Sequence, residues 1–192
     1  MEKNAALWYD ENITAEAVPQ NFGNLHGIVQ RNEGNHMSIY GDKAYETFFK
    51  GYNCAQCVAI AFAPVMHLTE SQAARMSSGF GGGFGRLREV CGAFSGITFV
   101  LSTLYGSDDP AQKTATYTEV QALAAEYRRR NGKNTIVCRE LLGLQKAEGS
   151  PVASPRTAEY YKKRPCPELC RLCADLCAEV IAAHPEGRHG FY

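Results

Sequence analysis

Residues 79–96 read GFGGGFGRLREVCGAFSG, and the two halves of this stretch demand different structures. Gly79, Gly81, Gly82, Gly83 and Gly85 cannot sit inside a helix or strand, where each glycine costs about 1 kcal/mol of backbone entropy. They predict a tight, shaped loop. From Val90 to Leu101 the chain turns almost wholly apolar, as a helix buried on all sides does. Cys91 stands at the joint. A thiol at the entrance of a buried helix, under a loop that admits close backbone approach, is well placed for chemistry.

Working outward, Asn53 suits the N-cap of a helix from Cys54 to about Met66. That helix is also apolar nearly all round, through Cys57, Val58, Ile60, Phe62 and Val65. One short return helix, opened by Thr69 and running from Glu70 to about Ser78, separates it from the helix after Cys91. The two apolar helices can therefore run side by side with the same ends together. Before them, Tyr45, Phe48 and Phe49 fall on one face of a helix from about Asp42 to Lys50, stopped by Gly51.

After them, Asp109 and Pro110 open a helix to about Arg130, with Val120, Leu123, Ala124 and Tyr127 as its buried stripe. A short turn of helix holds Cys138 to Leu142, a loop spans residues 145 to 156, and a short helix covers Thr157 to Lys163. The last helix runs from Pro167 to about Ala183. Its charged side is Glu168, Arg171, Asp175 and Glu179, and Cys166, Cys170, Cys173 and Cys177 fall in a narrow arc beside its leucines. No strand shows the alternating pattern. The expected fold class is all-α: a compact multi-helix domain over residues 37–192 with two central buried helices, preceded by an N-terminal extension, residues 1–36, that lacks strong periodicity. Met37 begins the regular sequence, either as the true start or as the start of the compact domain.

Lys plus Arg and Asp plus Glu both number 20, so the net charge is zero, which argues against a nucleic-acid surface. Arg128, Arg129 and Arg130 only end a helix, where cations suit the dipole. The apolar run near residues 90–105 falls short of a membrane span of about 20 residues, and no secretory signal opens the chain. A cytoplasmic protein is expected. In such a reducing compartment the eight cysteines point to redox or metal chemistry before structural disulfides.

Four of them, Cys54, Cys91, Cys138 and Cys166, start helices. Helix N-termini favour the thiolate, which predicts lowered thiol pKa values there. Cys54-Ala55-Gln56-Cys57 is also a C-x-x-C, but no βαβ pattern surrounds it, and Cys57 faces an apolar helix as a core residue would. Cys166 to Cys177 spans roughly 16 Å of helix, too far for all four to hold one ion. Cys173 and Cys177 read as a packing stripe. The glycine loop has neither the spacing nor the preceding strand of a dinucleotide-binding loop. His184 and His189 read as solvated tail residues.

Five segments in order, Gly51-Tyr52-Asn53-Cys54-Ala55-Gln56, Gly79–Gly83, Cys91-Gly92-Ala93-Phe94-Ser95-Gly96, Cys138–Gly143 and Cys166, resemble the redox-active proteins named for the C_GCAxxG_C_C cysteine pattern. The resemblance covers about Tyr40 to Cys177. It implies redox activity and maps the four characteristic cysteines onto Cys54, Cys91, Cys138 and Cys166. Cys57, Cys170, Cys173 and Cys177 lie outside the pattern, as do residues 1–36.

Two functions are therefore expected to compete. The first is thiol–disulfide chemistry, enzymatic or as a carrier, with Cys91 as the central thiol, Cys54 its partner across the two helix ends, and Cys138 and Cys166 nearby. The second uses Cys54, Cys91, Cys138 and Cys166 as thiolate ligands for zinc or an iron–sulfur cluster. A structural module with buried cysteines is the third. A redox partner is implied without its identity; neither nucleic acid nor a membrane span is.

Overall fold

In the computed structural model, residues 38–147 and 149–184 are described; the expected extension over residues 1–36 and His189 lie outside them. Eight α-helices follow one another: α1 Ile39–Phe49, α2 Cys54–Ala61, α3 Glu70–Ser77, α4 Gly92–Tyr105, α5 Lys113–Arg130, α6 Cys138–Leu141, α7 Ala158–Lys162 and α8 Cys166–Ala183. The described residues hold no strand, only an isolated antiparallel bridge between Val90 and Val137. The all-α reading holds. No helix among them is long and apolar enough to cross a membrane.

Local chemistry sets the ends. Asn53 caps α2 by accepting from the Ala55 and Gln56 amides, and Gln56 reaches back to the Asn53 amide, closing a capping box. Thr69 and Gln72 do the same for α3. The sequence placed the end of α2 near Met66, but it stops at Ala61. Pro64 has no amide to donate and its ring clashes with the carbonyl four residues back, so residues 62–67 become turns. Asp109 caps a 3₁₀ turn, Pro110–Gln112, before α5 begins.

α2 packs on α1, α3, α4 and α8, while α8 packs on α1, α2, α4 and α5. Two central helices were expected; α8 makes a third. Its cysteine arc faces inward, with Cys170, Cys173 and Cys177 all at 0% exposure. Asp175, expected on the charged face, is buried and accepts from the Ser38 amide at 2.8 Å and the Ser38 hydroxyl at 2.6 Å. α8 thereby fixes the residue that caps α1. Arg130 ties α5 to α8 through a two-pronged pair with Glu179, 2.7 and 2.8 Å. The His184 ring lies 6.3 Å from that of Tyr105, so it is not a freely solvated tail residue.

The central helices do run side by side, and they approach closely at Gly96. A methyl group there would sit 2.9 Å from Val58 Cβ and 3.0 Å from the Ala55 carbonyl oxygen. Gly92 similarly faces Cys54, whose Cβ lies 3.3 Å from where a methyl would be. The two helices therefore run the same way with their N-termini together. Gly96→Ala is expected to lower stability by about 1–2 kcal/mol, overpacking exceeding the gain in helix propensity. A urea midpoint equal to wild type would contradict that contact.

Candidate functional site

The glycine loop is a string of left-handed residues: Gly82, Gly83 and Gly85 at φ +65°, +72° and +54°, with Phe84, Arg86 and Arg88 also positive. Gly83 is bound to be glycine twice over. Its φ disfavours a side chain, and a methyl would meet the Glu89 amide at 2.8 Å and Cys138 Cβ at 2.7 Å. The loop thus lies directly on Cys138. Backbone bonds extend the seam, with the Cys138 amide donating to the Glu89 carbonyl and the Cys91 amide to the Ile136 carbonyl. Asn53 joins α2 to the same loop by donating to the Ser78 carbonyl at 2.9 Å.

These constraints close a cavity of about 260 Å³ at the entrances of α2, α6 and α8, with Cys54, Cys138 and Cys166 in its wall. Three of the four expected site cysteines share it. Cys91 lies behind them in the core, 4% exposed, and accepts from the Tyr127 hydroxyl at 3.4 Å. All eight cysteines are free, and only Cys54 keeps partial exposure. A larger apolar groove of about 430 Å³, lined by Phe80, Phe84, Phe94 and Phe99, contains no thiol.

Helix-entrance placement predicted lowered pKa values at Cys54, Cys91, Cys138 and Cys166, but only Cys54 shows one. Hydrogen bonds from the Cys166 thiol and then the Cys170 thiol hold Cys54 well below the ordinary thiol range, and the Arg156 charge adds to them. These outweigh burial. The donors move the opposite way: the Cys54 hydrogen bond and then burial push Cys166 up, while burial and then the same bond push Cys170 up. Burial, followed by the nearby Cys54 charge, raises Cys91 to about 12. Burial also raises Cys138, against a charge and a hydrogen bond from Arg88. Desolvation penalises the thiolate more than a helix end rewards it wherever no donor compensates.

The remaining cysteines are core. Cys57 is fully buried, donating to the Tyr52 carbonyl at 3.8 Å, and burial raises Cys173 and Cys177. Cys170, outside the four-cysteine pattern, belongs to the site through its contact with Cys54 and its 3.6 Å bond to the Cys54 carbonyl. Among the described residues no group of three or more His, Cys, Asp or Glu is arranged to hold a metal ion.

Sequence reading missed the arginines of the cavity, Arg86, Arg88, Arg156 and Arg164. Arg86 and Arg88 could have been noticed, since they sit between the glycines and Cys91. Arg156 and Arg164 flank α7, and no local pattern ties them to a thiol.

A family model described as "Putative redox-active protein (C_GCAxxG_C_C)" matches residues 52–180. No curated protein and no solved structure matches the chain.

Proposed function

We propose a function from one premise: this chain belongs to the C_GCAxxG_C_C family of redox-active proteins. Its chemistry is thiol–disulfide exchange at the cavity, with Cys54 as the attacking thiolate and Cys166 as the thiol that resolves the mixed disulfide. One observation carries the reading. Cys54 is the partly exposed cysteine, it stands in the cavity wall with Cys166, and its thiol neighbours lower its pKa. A nucleophile needs thiolate character and access together, and a resolving thiol needs to be its neighbour. Cys166 shares the cavity wall, whereas Cys170 is fully buried, so Cys166 is the better resolving group. Cys138 lines the same cavity, and Cys91 is buried in the core outside it.

The test is mass-spectrometric mapping after mild oxidation. A Cys54–Cys166 bond is the expected first product, and it should be absent from Cys166→Ser. The competing product is Cys54–Cys91, which the helix ends alone would favour. Finding Cys54 and Cys166 still free while other cysteines pair would defeat the assignment.

A further inference from the structure

The wall of the Cys54 cavity is cationic. Arg86 and Arg88 enter it from the glycine loop, Arg156 and Arg164 from either side of α7, and no Asp or Glu among the described residues lines it. Arg156 is held flat, its guanidinium carbon 4.5 Å from the Phe48 ring centre and 4.8 Å from that of Tyr160. Its Nη2 donates to the Tyr52 carbonyl at 3.0 Å, while its Nη1 is buried and bonds to nothing among the described residues. A buried cationic donor without an acceptor is costly, and stacking has already fixed its direction. Arg164 also lies over the Tyr160 ring, its guanidinium carbon 5.0 Å from the ring centre.

The cavity, about 260 Å³, is far larger than the roughly 30 Å³ share of one water. Phe48, Leu142 and Tyr160 add apolar surface beside the guanidinium groups. A bare inorganic ion would leave most of that space and all of that surface unused. An organic molecule with a carboxylate a few bonds from sulfur would use both, since guanidinium forks match carboxylates.

The geometry points to a low-molecular-weight disulfide carrying carboxylate groups as the electrophile taken by Cys54, held by Arg156 and Arg164. This rests on the thiol–disulfide reading above. The Cys54 thiolate attacks the nearer sulfur, and the ligand's sulfur–sulfur bond breaks. The departing thiolate takes the electron pair and leaves among the arginines. Cys166 then attacks the Cys54 sulfur of the mixed disulfide. The second half of the ligand leaves with that bond's electron pair and takes the proton that Cys166 gives up. The protein dithiol is oxidised by two electrons to a Cys54–Cys166 disulfide, and the ligand is reduced to one thiolate and one thiol.

Three disulfides of similar size and different charge test this on the reduced full chain at low salt: dithiodipropionate, bis(hydroxyethyl) disulfide and cystamine. The rate of Cys54 thiol loss is read by quenched alkylation and mass spectrometry, each rate divided by that of a small free thiol. The dicarboxylate is expected to react about tenfold or more faster than the neutral disulfide, with the diammonium slowest, the scale electrostatic focusing provides. In Arg164→Gln and in Arg156→Gln the ratio of the dicarboxylate rate to the neutral rate should shrink severalfold, whatever happens to the neutral rate itself. Equal rates for the three, or cystamine fastest, would overturn the substrate class and leave exchange chemistry standing. No Cys54 loss with any of them would overturn the exchange reading itself. The wild-type ranking decides the matter even if an arginine variant fails to fold.

Discussion

The Cys54→Ser protein is expected to lose the one thiol that alkylates rapidly near pH 7. An ordinary thiol, with a pKa of about 8.5, is only about 3% thiolate at that pH. Donation from Cys166 and Cys170 and the Arg156 charge keep Cys54 ionised well below that range, so its thiolate fraction is up to about thirtyfold greater. A low-pKa thiolate is intrinsically less nucleophilic, which takes back part of the gain. Cys57 is buried, and Cys91, Cys138, Cys166, Cys170, Cys173 and Cys177 lose on both counts, being buried and shifted up. Stopped-flow alkylation with iodoacetamide should therefore show a fast phase of one thiol in wild type and none in Cys54→Ser. Its pH profile should lie below the ordinary thiol range. Cys91→Ser should keep the fast phase. Its disappearance from Cys91→Ser instead would make Cys91 the central thiol.

A steep loss of stability above about pH 8.5 is the second expected result. A thiol whose folded pKa is raised holds its proton after the unfolded chain has released it. The unfolded state then binds fewer protons, so stability falls as pH rises. For Cys91 the loss begins at the unfolded thiol value and continues to about 12. Each pH unit in that window is worth about 1.4 kcal/mol for one thiol, so Cys91 alone contributes roughly 4 kcal/mol by its upper end. Cys138, Cys166, Cys170, Cys173 and Cys177 act in the same direction. Cys54 acts oppositely: its folded pKa is lowered, so its contribution is complete above the unfolded value and is lost as pH falls through the folded one. The measurement is the urea midpoint under reducing conditions between pH 8 and 11. A continuous fall is expected, with a shallower slope in Cys91→Ala. A midpoint independent of pH across that range would mean that the thiols are not buried as neutral groups.

Local sequence set the elements and most of the faces they bury, Asp175 on α8 being an exception. The spacing of apolar residues, the Asn53 and Thr69 caps and the stop at Gly51 are local signals, and local signals fix helices. It also determined the partnership of the two apolar helices, because a helix without a polar face must be covered and one short return helix brings them side by side. The cysteine pattern named the family and four of the thiols around the site.

The character of each thiol came from the folded arrangement. Helix-end position acts on each cysteine by itself, but a thiol pKa depends on what surrounds it, and that comes from distant parts of the chain. Cys54 and Cys166 meet only because α8 returns across α2; Cys54 gains its thiol donors through that return and the Arg156 charge from the segment before α7. Cys91 shares the helix-entrance position and goes the other way, since packing under α5 buries it against Tyr127 and supplies no comparable set of donors. The cationic wall arose likewise: four arginines, none adjacent to Cys54 in sequence, reach one cavity because the glycine loop and the α7 segments fold over the same opening. Desolvation and charge act through space, and spacing along the chain carries neither.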